Sequence, residues 1–253
     1  MIKTNSPLLT VEDETIIWRY MDFVSFYSVI KNKSLFFRRL DKYPDQLEGT
    51  LSAETIENLY KHHNKLDNSS TDNSRKWAQD FAKSVELGKA YNLSNSWSIQ
   101  NEENYALWKI YLHGHQEGVA IKSTAKRLKD SLQKSGETVY IDKVTYDQRS
   151  LEYDDINIFN VATNKIKPYN FENECRAFII GQIQFNKNDG NPPHPKYSVG
   201  AEIAADLEIL IDKLFVSPFA GHWFTKLVES LVSEHLPSFD KTQLVSSIIR
   251  EAK

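Results

Sequence analysis

The sequence predicts a single α+β domain over residues 1–253, and three observations carry the prediction. The chain is 40% hydrophobic and 26% charged, so it can bury a core and is not a disordered polymer. Short runs of β-branched and aromatic residues predict strands, and apolar residues at i, i+3 and i+4 predict helices. The two kinds of run mix without the regular alternation of a doubly wound parallel sheet, which favours the α+β class.

The strands and helices of the first quarter are predicted by local patterns. Residues 15–20 (TIIWRY) are β-branched and aromatic and predict a strand. Asp22 is a suitable N-cap for a helix over 23–32, whose apolar residues recur at helical spacing. Residues 34–37 (SLFF) return to extended structure, and residues 52–63 predict a second helix. These elements place a strand, a helix and a strand in immediate succession.

The remaining elements follow in mixed order, separated by two polar segments. Predicted strands are 93–99, 118–121, 138–144, 175–180 and 213–216, and predicted helices are 105–112, 126–134 and 223–231. The polar segments are 64–74 (NKLDNSSTDNS) and 186–195, which contains one glycine and three prolines. Both offer few apolar anchors, so we expect mobile loops that are the least ordered parts of the chain.

The composition limits the classes of function. Lys plus Arg number 31 and Asp plus Glu 34, a net charge of −3, which argues against a broad surface for nucleic acid or anionic membranes. The single cysteine, Cys175, excludes an intrachain disulfide and a cysteine-based zinc site. No apolar run approaches the roughly 20 residues of a membrane-spanning helix, and the first residues lack a signal-peptide core. We therefore expect a cytoplasmic protein that does not bind membranes.

Two glutamates are the strongest candidates for chemistry. Glu172 and Glu174 immediately precede the strand predicted at 175–180. If the chain is already extended there, both carboxylates project from one face and raise one another's proton affinity, which suits a base or a stabiliser of positive charge. The structural alternative is a solvated turn in which Glu174 pairs with Arg176.

Arg19 and three serines are candidates for ligand binding. Arg19 lies within an otherwise apolar strand, where its guanidinium can hold a phosphate or carboxylate; the alternative is an edge-strand arginine that reaches water. Ser94, Ser96 and Ser98 share one strand face and can hold a polar ligand or a neighbouring carboxylate. A solvent-facing strand surface is the alternative for the serines.

Metal and thiol chemistry have weaker signals. His113 and His115 lie at a predicted helix end, and we expect no metal site there. Cys175 follows a glutamate that raises the pKa of its thiol, so we expect it to be buried and inert. A metal-dependent nuclease that uses Asp45, Glu48 and the two later glutamates with a lysine stays open, although the chain lacks a compact Asp…Glu-x-Lys motif.

Most of the chain resembles the bacterial domain of unknown function 2971 family. The matching segments, in the family's order, are 18–20 (WRY), 34–37 (SLFF), 45–48 (DQLE), 97–98 (WS), 108–111 (WKIY), 118–121 (GVAI) and 169–176 (YNFENECR). The chain departs at the turn, where Pro44 precedes Asp45 and the family's asparagine and its proline after the aspartate are absent. The family name carries no biochemical function, so this resemblance bears on the fold alone.

A second resemblance is chemical. The order Arg19, then Ser96-Trp97-Ser98, then Glu172-Asn173-Glu174 resembles the R-S-E layout of mono-ADP-ribosyltransferases, with Trp97 in place of the usual threonine. It implies a split-sheet ADP-ribosyltransferase-like core with peripheral helices and NAD as the substrate.

The same resemblance implies a role for each matching residue. Glu174 would stabilise the ribose cation and Glu172 would orient or deprotonate the acceptor. Arg19 would hold the phosphate or ribose of NAD, and Ser96 and Ser98 would fix Glu174 and line the nicotinamide pocket. The expected aromatic wall of that pocket consists of Trp97, Tyr20 or Trp18.

The implied activity is transfer of ADP-ribose from NAD to an unknown macromolecular acceptor, a protein or a nucleic acid, in phage defence or a toxin–antitoxin setting. Two alternatives stay open. One is a non-catalytic sensor or antitoxin-like binding module on the same fold, and the other is the metal-dependent nuclease.

Overall fold

A computed structural model describes residues 11–67, 71–146, 151, 153, 156, 158–181 and 195–249. Its strands are β1 Ile16–Asp22, β2 Ser34–Arg39, β3 Leu93–Ile99, β4 Gly118–Thr124, β5 Tyr140–Lys143, β6 Glu174–Ile179, β7 Gly200–Ala204, β8 Lys213–Val216 and β9 Leu244–Ser246. Its helices are α1 Phe23–Asn32, α2 Ala53–Asp67, α3 Thr71–Gly88, α4 Tyr105–Tyr111, α5 Ala125–Ser131, α6 Ile158–Thr163, α7 Leu207–Leu210 and α8 His222–His235.

The strands form one mixed sheet, which confirms the α+β class. Within the described residues the sheet has nine strands in the order β5-β6-β3-β1-β4-β8-β9, and β2 joins it through β3 and carries β7. Strands β8 and β9 are parallel, and the other pairs are antiparallel. In this part of the chain no helix has the length and apolar character needed to cross a membrane.

The sheet is split along one edge of β3. Strand β2 pairs with the start of that edge, at Leu93 and Ser94, whereas β1 pairs with its end, at Ser98 and Ile99. Two side chains cross the opening between β1 and β2. The Asn95 amide donates to the Phe36 carbonyl at 2.9 Å, and Arg19 Nη1 donates to the Ser96 carbonyl at 2.6 Å. Backbone groups that the diverging strands leave unpaired are therefore satisfied by side chains.

One side of the sheet, which we call the apolar face, carries the main core. Alternating residues of the central strands, such as Ile17, Trp97 and Cys175, pack there in one hydrophobic cluster. Helix α1 adds Phe26 to this cluster and begins where predicted, because Asp22 Oδ1 accepts a hydrogen bond from the Ser25 amide at 2.7 Å.

The other side, which we call the charged face, is built differently. Two small apolar clusters lie there, one containing Trp18, Tyr20 and Trp108 and the other containing Leu40 and Phe178. Strands β3 and β6 run between the two clusters, and there their side chains are serines, a glutamate and an arginine. The fold thus places polar groups in the middle of a buried surface.

The loop predicted at 64–74 is wrong for most of its length. Helix α2 continues to Asp67 and α3 begins at Thr71, and residues 68–70 lie outside the described part. The two helices pack together through the His63 ring, which stacks on Trp77 at 4.5 Å and lies 3.1 Å from Ser74 Oγ through Nδ1. This contact between helices stabilises polar residues that local composition assigns to a loop. The second predicted loop lies outside the described residues up to residue 194.

Candidate functional site

Five ionisable side chains meet on the charged face and form what we call the charge cluster. They are three carboxylates and two cations: Glu48, Glu172, Glu174, Lys165 and Arg176. The exposed fraction of these side chains is at most 12%. Burying so many charges is costly unless each is paired, so the contacts within the cluster determine what it can do.

Arg176 is the centre of the cluster. Its Nε donates to Glu174 Oε2 at 2.8 Å, and its Nη1 lies 2.7 Å from Glu48 Oε1. The pairing of Glu174 with Arg176 on one strand face agrees with the structural alternative, but the predicted solvated turn is wrong because Glu174 is only 3% exposed. Ser96 Oγ accepts a hydrogen bond from the same Nε at 3.3 Å, so Ser96 contacts Glu174 through Arg176.

Lys165 joins the three carboxylates and was missed by sequence reasoning. Its Nζ donates to Glu174 Oε1 at 2.9 Å and to Glu172 Oε2, and it lies 3.8 Å from Glu48 Oε2. Lys165 follows a short helix and has no motif around it, so its proximity to Glu174 is a product of the fold alone.

The predicted extended backbone at Glu172 is wrong. Residues Lys167–Glu172 form a 3₁₀ helix, and Asn173 adopts the left-handed conformation with φ of 42° before β6 begins. Asn173 also forms two hydrogen bonds with Ile99, the last residue of β3. The Ile99 amide donates to the Asn173 carbonyl, and Asn173 Nδ2 donates to the Ile99 carbonyl, each at 2.7 Å. The two carboxylates still meet, because Lys165 binds both and not because they alternate along a strand.

The two glutamates differ in proton affinity. Burial and a hydrogen bond shared with Glu174 together raise the pKa of Glu172 to about 7, against the opposing effect of Lys165. Burial alone would raise the pKa of Glu174 as well, but the charge of Arg176 and the contacts with Glu172 and Lys165 hold it well below its usual range. Glu174 is therefore ionised at neutral pH, whereas Glu172 holds the exchangeable proton.

Arg19 lies in the split of the sheet, where its Nη1 donates to the Ser96 carbonyl. Strand β1 lies between β3 and β4, so the predicted edge-strand alternative is wrong. The guanidinium of Arg19 lies 6.0 Å from the centre of the Trp97 ring and is half-buried. Burial lowers its pKa, and the nearby Tyr43, Tyr111 and Glu174 oppose that shift. Arg19, Ser96 and Glu174 thus lie on three neighbouring strands; Arg19 contacts the Ser96 carbonyl, and Ser96 Oγ contacts Arg176 on the charged face.

The predicted aromatic wall lies in the core. Trp97 is 1% exposed on the apolar face, and its Nε1 donates to Asn95 Oδ1 at 2.7 Å. Tyr20 is buried against Trp108, with ring centres 5.0 Å apart, and its hydroxyl accepts a hydrogen bond from the Asn104 amide at 2.8 Å. Both rings have packing partners that account for their burial, so they are poor candidates for a wall that contacts a ligand.

Two other predicted residues are also buried. Trp18 packs on Phe215 with ring centres 4.8 Å apart. Ser98 is 3% exposed and lies opposite Glu174 in the β3–β6 ladder, so the solvent-facing alternative is wrong for this serine.

Three tyrosines near the charge cluster were not predicted as site residues. The Tyr146 hydroxyl accepts a hydrogen bond from the Glu174 amide at 2.8 Å. The Tyr43 hydroxyl lies 2.9 Å from Ser94 Oγ, and its ring lies 5.4 Å from the Arg176 guanidinium. Burial raises the pKa of Tyr111, and the charges of Glu172 and Glu174 raise it further. Tyr111 belongs to the segment WKIY that carried the family resemblance, so a signal for it was present.

The carboxylates that the nuclease hypothesis assigns to a metal ion do not form one metal site among the described residues. Glu48 joins the later glutamates, as the nuclease hypothesis requires, but they converge on the Lys165 ammonium. Asp45 Oδ1 accepts a hydrogen bond from the Leu47 amide at 3.0 Å. Across the described ranges, no group of three or more His, Cys, Asp or Glu side chains is placed to hold a metal ion.

Cys175 behaves as the sequence predicts. It is fully buried on the apolar face, and burial raises the pKa of its thiol to about 12, with a further contribution from Asp142. A thiol with that pKa is protonated at neutral pH and is a poor nucleophile.

Comparison with known proteins gives no relative for this chain. No family model, no curated protein and no solved structure matches it. Both family resemblances therefore stay predictions, and a functional proposal depends on the geometry of the charge cluster and its neighbours.

Proposed function

We propose that the protein is a mono-ADP-ribosyltransferase that consumes NAD and modifies a macromolecular acceptor. One observation carries the proposal: Arg19, Ser96 and Glu174, which are far apart in sequence, lie on the neighbouring strands β1, β3 and β6, and Arg19 Nη1 donates to the Ser96 carbonyl. An arginine, a serine and an ionised glutamate in this arrangement supply a group for a phosphate and a group for a developing cation.

Glu174 has the charge that the first chemical step requires. When the bond between nicotinamide and ribose breaks, its electron pair leaves with nicotinamide and positive charge develops on the ribose. A preorganised carboxylate stabilises that charge most effectively in a site that excludes water. Arg176 and Lys165 keep Glu174 ionised and fix both of its oxygens.

Glu172 has the proton affinity that the second step requires. A nucleophilic atom of the acceptor bonds to the same ribose carbon and gives up a proton. A general base works best when its pKa lies near the working pH, and burial places the pKa of Glu172 at about 7. The two carboxylates thus have separate roles because their surroundings move their pKa values apart.

The half-buried side chains suggest how NAD is held. Arg19 fits a pyrophosphate or a ribose hydroxyl. Tyr43 and Tyr111 are half-buried and lie near Arg19, so they fit an aromatic wall for nicotinamide better than Trp97 or Tyr20 do. This assignment replaces the three aromatic residues predicted for the wall, which are all buried, and keeps the arginine.

The experiment is incubation with NAD that carries a label in its ADP-ribose portion, with and without a cell lysate. Nicotinamide release and label transfer are followed for the wild type and for Glu174→Gln. Loss of the Glu174 charge should lower the rate by about 10²–10³. Affinity for NAD should fall much less, because the ribose cation exists only in the transition state.

Two further variants make the result specific. Glu172→Gln should reduce transfer to the acceptor more than hydrolysis of NAD by water. Glu234→Gln changes a glutamate that is 73% exposed and should leave both rates unchanged. A wild-type protein that neither binds nor consumes NAD would contradict the proposal.

One observation favours a second candidate, a non-catalytic binding module. Both carboxylate oxygens of Glu174 already contact cations of the protein itself, as expected of a purely structural ion pair. In that case NAD would bind, or fail to bind, without nicotinamide release in any variant. The labelled-NAD experiment therefore separates the two candidates.

A further inference from the structure

Lys165 and Glu174 are attached to the same short segment of backbone. The Lys165 amide donates to the Thr145 carbonyl at 2.9 Å. The Val144 amide donates to the Glu174 carbonyl at 2.9 Å, and the Glu174 amide donates to the Tyr146 hydroxyl at 2.8 Å. Residues 144–146 therefore fix the backbone of the lysine relative to the backbone of the glutamate.

The side chain of Lys165 lies where a single cation contacts all three carboxylates of the charge cluster. Its Nζ bonds Glu174 and Glu172 directly and lies 3.8 Å from Glu48. The cluster contains three carboxylates and two cations, so its direct ion pairs leave one negative charge in excess. A buried cluster with such an excess retains a proton, and the position of the cations decides which carboxylate holds it.

We infer that Lys165 is a positioning residue that holds Glu172 and Glu174 against one ammonium, so that the pair retains one shared proton and this ammonium limits how tightly the proton is held. A lysine that only balanced charge would need one carboxylate partner. Lys165 instead contacts two, Glu172 at the end of a 3₁₀ helix and Glu174 at the start of β6. The use of that proton in the reaction rests on the proposed function, but the placement of the proton does not.

Other groups that face the two glutamates set the background for this equilibrium. Arg176 and Glu48 belong to the cluster, and the charge of Arg19, which lies in the split, interacts with that of Glu174. The Tyr169 ring lies 4.5 Å from the Lys165 ammonium. Burial raises the pKa of Tyr111 and of Tyr146 above the ordinary value, so both hydroxyls stay neutral at physiological pH. Lys165 is the cation that contacts both glutamates and is the one to alter.

The test is a carboxyl-carbon NMR titration of the free protein between about pH 4 and pH 9. Resonances of Glu172 and Glu174 are assigned from Glu172→Gln and Glu174→Gln. In the wild type one carboxyl should titrate near pH 7, because burial raises the pKa of Glu172 to about that value. Lys165→Met removes the cation and should move this midpoint upward by about one pH unit or more, a tenfold change in proton affinity.

Two variants separate positioning from general stability. Lys165→Arg keeps the positive charge and should restore a midpoint near the wild-type value. Lys89→Met is the matched control, because Lys89 is 5% exposed and its ammonium donates to the Gln46 carbonyl. It should destabilise the fold without moving the glutamate midpoint.

The inference is overturned if folded Lys165→Met keeps the wild-type midpoint. If Lys165→Met does not fold, the titration of the wild-type protein is the test. A Glu172 midpoint near the ordinary pKa of 4.5 then overturns the inference. The titration does not involve NAD. A protein that neither binds nor consumes NAD would therefore contradict the proposed function without changing the outcome of the titration. Conversely, an active enzyme without a carboxyl that titrates near neutral pH would overturn the inference alone.

Discussion

The two faces of the sheet bury side chains of opposite character. On the apolar face, residues such as Ile121 and Phe224 join one continuous cluster in which burial itself is stabilising. On the charged face, Glu174 and Arg176 lie at similar depth between the two small apolar clusters, and each needs the other's charge to be stable when buried. If the core served stability alone, we would expect a continuous apolar cluster on both faces. Buried ion pairs are expected where chemistry requires charged groups out of contact with water.

The largest expected effect comes from removing the central cation of the charged face. Arg176→Met leaves Glu174 and Glu48 buried with only Lys165 for compensation. The free energy of unfolding should fall by about 3–5 kcal/mol, the usual cost of breaking a buried ion pair on one side. Chemical denaturation measures this loss.

The matched change on the apolar face should be much smaller. Ile121→Val removes one methylene from a fully buried side chain and should cost about 0.5–1.5 kcal/mol. If Arg176→Met costs no more than Ile121→Val, then the two faces do not differ in the way described.

A smaller effect concerns the pH dependence of stability. The pKa of Glu172 is raised on folding from 4.5 to about 7, so the folded state holds a proton that the unfolded state has lost between those values. Its stabilising contribution is complete below about pH 4.5 and is lost as pH rises to about 7. The loss is on the order of 1–3 kcal/mol. Glu174, whose pKa is lowered by the charge of Arg176 and the contacts with Glu172 and Lys165 despite its burial, contributes with the opposite sign: its stabilisation is complete above about pH 4.5 and is lost as pH falls below that value.

The measurement is the free energy of unfolding at several pH values, for the wild type and for Glu172→Gln. The stability of the wild type relative to Glu172→Gln should fall as pH rises from about 4.5 to 7, because the amide cannot release a proton. Ile121→Val lies away from the cluster and should show the same pH profile as the wild type. Parallel curves for wild type and Glu172→Gln would show that Glu172 does not hold the proton.

Local patterns predicted most of the fold. The strand at Arg19, the cap at Asp22 and the strand at Cys175 each depend on neighbours in sequence, and each is present. The prediction of a loop over residues 64–74 was wrong because the contact between His63 and Trp77 joins two helices, and local composition carries no information about that contact.

The candidate site was predicted in part. The order of Arg19, Ser96 and Glu174 was enough to expect them on neighbouring strands, and they lie there. Lys165 was not predicted as a site residue because its position depends on a backbone hydrogen bond to residue 145, which no local sequence pattern indicates. The backbone at Glu172 was misjudged because the turn at Asn173 depends on its hydrogen bonds with Ile99.

The central claim is that the charged face exists for chemistry and the apolar face for stability. It is tested most directly by replacing the five residues of the charge cluster together with methionine and by measuring unfolding and nicotinamide release from NAD on the same sample. Replacing a whole buried ion network with apolar side chains of similar size is often neutral or stabilising. We predict a free energy of unfolding within about 2 kcal/mol of the wild type and complete loss of nicotinamide release. A variant that unfolds, or that releases nicotinamide as fast as the wild type does, would contradict the claim.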